Sequence, residues 1–239
     1  MQKKSRALNL FSSLLLFVLA PAVVFLGFRH LDSRYYYLSA AGVIILSLLP
    51  FFIMFEKRKI KTAELAAVAV MIALCVASRL AFAFVPQVKP LCALVIITAS
   101  SFGPNVGFVT GALSVFLSNF AFGQGMFTPF QMLGMGLCGF ICGLMFHEKK
   151  LAKNRLAVSA AGFAVTLCIY GFVVDSCSVL MTVTDFTKKN VFAVLLSGLP
   201  FNLIHAAATA LVLFFAGKPM NDKLFRLHEK YGIFSLEEN

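Results

Sequence analysis

The chain has 239 residues, 60% of them hydrophobic and only 13% charged, with a mean hydropathy of +0.89 and a formal net charge of +11. Its apolar residues fall in long blocks separated by basic clusters, which excludes a soluble domain built round one aqueous core and marks an integral membrane protein. Most Lys and Arg sit at block ends, where they mark cytoplasmic loops rather than a nucleic-acid surface.

Eight apolar stretches follow in chain order, at about residues 8–28, 36–55, 62–85, 88–103, 104–121, 127–146, 156–178 and 190–216. Each is near the ~20 residues a bilayer requires, the fourth being short. The first has Lys3, Lys4 and Arg6 before it, as a signal peptide would. Its apolar run is long and lacks a clear small-residue cleavage site before Arg29, so it is read as a span.

Charge then orients the spans. Fifteen Lys and Arg fall on the side that carries both termini, including Lys57, Arg58, Lys59, Lys149 and Lys150. Five fall on the other: Arg29, Arg34, Lys89, Lys188 and Lys189. The asymmetry places both termini in the cytoplasm of a multi-pass protein of the cell membrane. The basic linker from Glu56 to Lys61 separates a transmembrane hairpin (1–61) from a six-span domain (62–217), which is followed by a cytoplasmic tail (218–239).

Candidate functional groups belong to the six-span domain. At ~1.5 Å per residue, counting from Thr62 at the cytoplasmic face, Arg79 lies roughly 25 Å up, near the outer edge of the ~30 Å hydrocarbon layer. Asn119, Tyr170 and Asp175 reach the same level, and Lys89, Gln124, Thr128 and Gln131 belong to the outer loops or the turn beyond them. Phe84 and Phe127, with further phenylalanines, interleave with these polar groups, a mixture of apolar wall and few directed polar groups that suits an organic ligand. Each residue also has a plainer role open to it: Arg79 as a snorkelling cation, Asn119 and Gln131 as interhelical hydrogen-bond partners. Asn202 and His205, just after Pro200, count to a deeper level near the membrane middle, where they could line a pocket floor or simply accompany a proline kink.

Two kinds of small-residue ladder occur. Ala69, Ala73 and Ala77 repeat every four residues in the first span of this domain, and Gly107/Gly111 and Gly139/Gly143 do so in the third and fourth. The glycine pairs predict close helix packing. A Gly-Pro pair at Gly103-Pro104 predicts a tight turn.

Several chemistries lack their signatures. The sequence has no GxxxxGK[ST], HExxH or GxSxG, no CxxC among its six cysteines, and no intramembrane carboxylate pair. It therefore offers no ATP-hydrolysing loop, catalytic site, metal site or cofactor pattern, and the cysteines are read as packing residues. A carrier driven by protons or sodium would need an ion site near the midplane, and none is evident.

The alanine ladder, the segment from Arg79 to Pro90 and the segment from Ser118 to Gln131, set in six spans of this spacing, resemble the substrate-binding S components of energy-coupling factor (ECF) vitamin transporters. The resemblance covers residues 62–216 and implies an all-α membrane fold, a six-helix S-component-like bundle here preceded by the two-helix hairpin. It implies no enzyme but a protein that captures a vitamin or related micronutrient from outside. A transmembrane T component with two ATPase subunits then drives the bound S component to topple in the membrane. It places T-component contact on Ala69, Ala73 and Ala77. The outer ends of the third, sixth, seventh and eighth spans would hold the substrate, with Arg79, Phe84, Lys89, Asn119, Gln124, Phe127, Gln131, Tyr170, Asp175 and Asn202 as binding residues. The loop segments look closest to S components for cobalamin or its precursors. An ion-coupled secondary carrier of a small organic solute is the alternative.

Overall fold

In the computed structural model, residues 62–147, 149–183 and 187–231 are described, together with Gly42 and Ile45. The predicted N-terminal hairpin therefore lies outside the described residues. All regular structure among them is helical: α1 (Thr62–Ala81), α2 (Leu91–Phe102), α3 (Pro104–Phe122), α4 (Thr128–Phe146), α5 (Arg155–Val165), α6 (Phe172–Thr182), α7 (Lys188–Val212) and α8 (Lys218–Tyr231), with a short 3₁₀ turn at Lys150–Lys153. A π-helical turn, Thr166–Gly171, joins α5 to α6, so that Arg155–Thr182 runs as one span. A second, Leu213–Gly217, carries α7 into α8.

Five of these segments are long and apolar enough to cross a membrane: Thr62–Ala81, Pro104–Phe122, Thr128–Phe146, Arg155–Thr182 and Lys188–Leu227. The sixth, α2, has 12 residues, about 18 Å of helix against a hydrocarbon layer of ~30 Å. It is shorter than the 88–103 span expected, because residues 82–90 form an irregular connection instead of helix. Every residue of α2 is buried, with α1, α3, α4, α7 and α8 packed around it. A helix enclosed on all sides by protein has no need to reach both membrane faces.

The tightest contact is between α3 and α4. A Cβ added to Gly111 would stand 2.6 Å from the Met135 carbonyl oxygen, and one at Gly107 would stand 2.9 Å from the Gly139 carbonyl oxygen. The glycines let two backbones meet where side chains would hold them apart, as their spacing predicts. Between α2 and α3 the chain reverses at Gly103, whose φ of 102° is disfavoured for residues with a Cβ, while Pro104 starts α3 where no intrahelical N–H is needed.

Asn154 caps α5, its side-chain oxygen accepting from the N–H groups of Leu156 and Ala157 at 3.0 and 3.3 Å. Thr187 caps α7 in the same way, accepting from Asn190 N at 3.3 Å. Residues 218–231, part of the segment read as a tail, continue as helix. Met220 and Leu224 pack on the core, and Ser101 donates to Asn221 at 3.1 Å. Five of the six cysteines are buried, Cys168 being exposed, and all six are free thiols.

Candidate functional site

The C-terminal end of α1 and the connection after it form one wall of a cleft. Arg79 stands in the last turn of α1, and its Nη1 donates to Ser118 Oγ at 2.5 Å and to Asn119 Oδ1 at 2.7 Å, both on α3. Asn119 is fully buried, so its orientation is set by these partners: Oδ1 accepts from Arg79, and Nδ2 donates to Gln131 Oε1 at 3.0 Å and Thr128 Oγ1 at 3.2 Å. Thr128 in turn donates to Gln124 Oε1 at 2.9 Å, and Gln124 Nε2 donates to the Phe116 carbonyl. The network ties α1, α3, the 123–127 connection and α4 together. Because Gln131 spends its carbonyl oxygen on Asn119, its amide N–H groups remain as donors.

Lys89 works on the other side of Arg79. Its ammonium donates to the carbonyls of Phe82, Ala83 and Val85, the last at 3.0 Å, so it ties down the end of α1 and the turns beyond it. Partial burial and the neighbouring Arg79 charge hold its pKa below the ordinary lysine value. Both cations approach one ring: Arg79 Cζ lies 4.8 Å, and Lys89 Nζ 5.9 Å, from the Phe122 centroid.

Two residues before Lys89, Gln87 adopts φ 57°, a left-handed conformation uncommon outside glycine. Its carbonyl meets His205 Nδ1 of α7 at 3.0 Å. A carbonyl only accepts, so Nδ1 carries the hydrogen, and Nε2 is buried with no partner among the described residues. Tyr170, on the π-helical turn, places its ring 5.2 Å from that of His205. Such turns often mark functional positions in helices.

These elements enclose a cleft of about 210 Å³ lined by Arg79, Gln87, Lys89, Leu91, Val115, Phe122, Gln131, Met135, Tyr170 and His205. Of the ten binding residues expected from the sequence, Arg79, Lys89, Gln131 and Tyr170 line it, and Asn119 stands directly behind Arg79 and Gln131. Gln124 and Phe127 are one layer back, Gln124 in the network and Phe127 packed on the core. Phe84 is 98% exposed and does not line it. Asp175 and Asn202 pair with each other instead, Asn202 Nδ2 donating to Asp175 Oδ2 at 2.6 Å beside Gly171 and Gly198.

Asn202 and His205, counted from the sequence to a deeper level than Asp175 and the 82–90 connection, are in hydrogen-bond contact with Asp175 and with the Gln87 carbonyl respectively, and His205 lines the cleft. Leu91, Val115, Phe122, Met135 and Gln87 complete the lining. Helical register held a signal for three of them, since Val115, Asn119 and Phe122 fall at i, i+4 and i+7, and Gln131 and Met135 at i and i+4.

Fold and site together define a multi-pass membrane protein with a small polar-and-apolar cleft at the end of its bundle where α1 and α3 finish. The family model for the ECF-type riboflavin transporter, S component, matches residues 59–221, well over half of the sequence. The chain belongs to that family, whose members are substrate-binding components of vitamin transporters and not enzymes. Comparison with curated proteins and with solved structures gave no match.

Proposed function

We propose that this protein is the substrate-capturing S component of an ATP-driven importer in the cell membrane and that its substrate is riboflavin or a close flavin relative. The observation that carries the reading is the family match over residues 59–221, which spans every residue of the cleft. A cleft of about 210 Å³ between the apolar side chains of Leu91, Val115 and Met135 and the rings of Tyr170 and Phe122 favours a flat ring system. Cobalamin, which with its precursors is the substrate suggested by the loop segments alone, is a far bulkier macrocycle and would require the cleft to open widely.

Arg79, Lys89, Gln131 and Tyr170 contact the ligand in this reading, and Asn119 orients Arg79 and Gln131. The partners are a T component and two ATPase subunits. Ala69, Ala73 and Ala77 all lie on the exposed side of α1, opposite Val68, Met71 and Cys75, and this supports their role as the sliding face for the T component. Both termini are cytoplasmic, the 1–61 hairpin is an added anchor, and residues 62–217 form the binding domain.

Mass spectrometry of small molecules released from the purified full-length protein tests the substrate. A flavin recovered in near-equimolar amount is expected; a corrinoid, or another vitamin at that level, overturns the flavin assignment.

A further inference from the structure

Arg79 is the cation whose charge is least answered in the cleft. Its guanidinium has five N–H groups, of which two, on Nη1, go to the neutral acceptors Ser118 and Asn119. The remaining edge, Nε and Nη2, has no partner among the described residues. Asp175, the acid that the sequence places at the same level, is taken by Asn202. The second cation, Lys89, has its three donors on the carbonyls of Phe82, Ala83 and Val85. It supplies charge to the cleft without a free hydrogen.

Two positive charges thus approach one ring and one cleft with no carboxylate beside either among the described residues. Partly desolvated like charges oppose each other, and an anion between them removes that cost. The unpaired edge of a guanidinium has the planar fork that fits the two oxygens of a carboxylate or phosphate, a geometry an ammonium cannot supply. The fork is held in place from behind by buried Ser118 and Asn119, which are both nearly inaccessible to solvent. Gln131 adds neutral donors on the same wall.

We propose that the cleft selects an organic anion, whose carboxylate or phosphate is gripped by the free edge of Arg79 in the field of Lys89. Resting on the flavin reading above, this makes a flavin bearing a phosphate monoester a better ligand than neutral riboflavin. The same phosphate chemistry exists in lipid headgroups, so the source must be separated by experiment.

Flavin binding is measured by fluorescence quenching on the full-length protein in nanodiscs of phosphatidylcholine and of phosphatidylglycerol, with riboflavin and flavin mononucleotide as probes. Flavin mononucleotide should bind at least about tenfold more tightly in both lipids. That ratio should fall to within about threefold in Arg79→Gln, with Arg79→Lys recovering part of it, because charge returns without the fork. If Arg79→Gln does not fold, Lys89→Gln should lower the same ratio. Equal or tighter binding of riboflavin overturns the proposal and leaves the flavin reading standing. A preference that vanishes only in phosphatidylglycerol, with Arg79→Gln shifting the melting temperature only there, assigns Arg79 to lipid headgroups and also overturns it. Failure of both flavins to bind removes the flavin reading, and inorganic phosphate then decides the anion site. Phosphate must raise the melting temperature of the wild-type protein more than that of Arg79→Gln or Lys89→Gln, and an equal effect on all three ends the proposal.

Discussion

Small residues repeat every four positions in two places, and the structure puts them in opposite environments. The glycines of α3 and α4 face each other in the tightest seam of the bundle, where the apolar window of α4 is 78% buried. The alanines of α1 lie on the outside of a helix whose window is only 22% buried. One ladder closes a contact between two helices; the other lies exposed among the described residues. Spacing alone does not separate these fates, because both let a neighbouring backbone approach. The distinction comes from what else the helix carries: α1 buries Val68, Met71 and Cys75 on its other face, while α4 is surrounded.

Substitution at the seam should have the largest effect. A side chain at Gly139 would run into the Gly107 carbonyl, so Gly139→Leu should destabilise the bundle by about 3 kcal/mol or more, as backbone cannot yield as a flexible side chain can. The check is a lower melting temperature together with loss of ligand binding. A variant of normal stability would mean that α3 and α4 are not in backbone contact.

The same enlargement on α1 should leave the fold alone. Ala73→Leu adds a side chain to an exposed position, so the isolated protein should melt as before and bind its ligand with unchanged affinity. ATP-dependent uptake and copurification with the T component should be lost. Weakened ligand binding would show the ladder to be internal packing, and full uptake would place the partner elsewhere.

At the C-terminal end of α1, Arg79→Ala should weaken ligand binding by one to two decades, about 1.5 to 3 kcal/mol for a charge-assisted contact. It should also release Asn119, whose Oδ1 then loses its donor. Unchanged affinity in a folded variant would make Arg79 a headgroup anchor. The smallest change is expected at Asp175, which pairs with Asn202 and does not line the cleft. Asp175→Asn should cost about 1 kcal/mol of stability and change affinity by less than about threefold. A larger loss of affinity would restore Asp175 to the binding site.

Much of the six-helix body is legible in the sequence because bilayer-length apolar runs and basic clusters report spans directly. The starts of α3, α4 and α5 follow from Pro104, Pro129 and the Asn154 cap, which are local signals. The ends of α1 and α2 that face residues 82–90 are not local: α2 is buried from every side, and α1 stops at Ala81, short of the 62–85 span expected, where Lys89 takes the carbonyls of Phe82, Ala83 and Val85.

The cleft was partly legible for a similar reason. Arg79, Lys89 and Gln131 stand out as polar groups at one depth, whereas Leu91, Val115 and Met135 look like any other apolar residue until helix register brings them together. Asp175 and Asn202 show what a count of residues along each span leaves out: it gives them different heights and no side-chain direction, whereas they hydrogen-bond each other and neither lines the cleft. Phe84 shows the same limit: Arg79, Gln87 and Lys89 on either side of it in sequence line the site, while it is almost fully exposed.

The most direct test of the account is uptake of a labelled flavin into proteoliposomes that contain this protein, with and without the T component and its two ATPases. Accumulation that requires all partners and internal ATP, and survives an uncoupler, is the predicted result. Accumulation by this chain alone that collapses with the uncoupler would identify an ion-coupled carrier and contradict the assignment as an ATP-driven capture component.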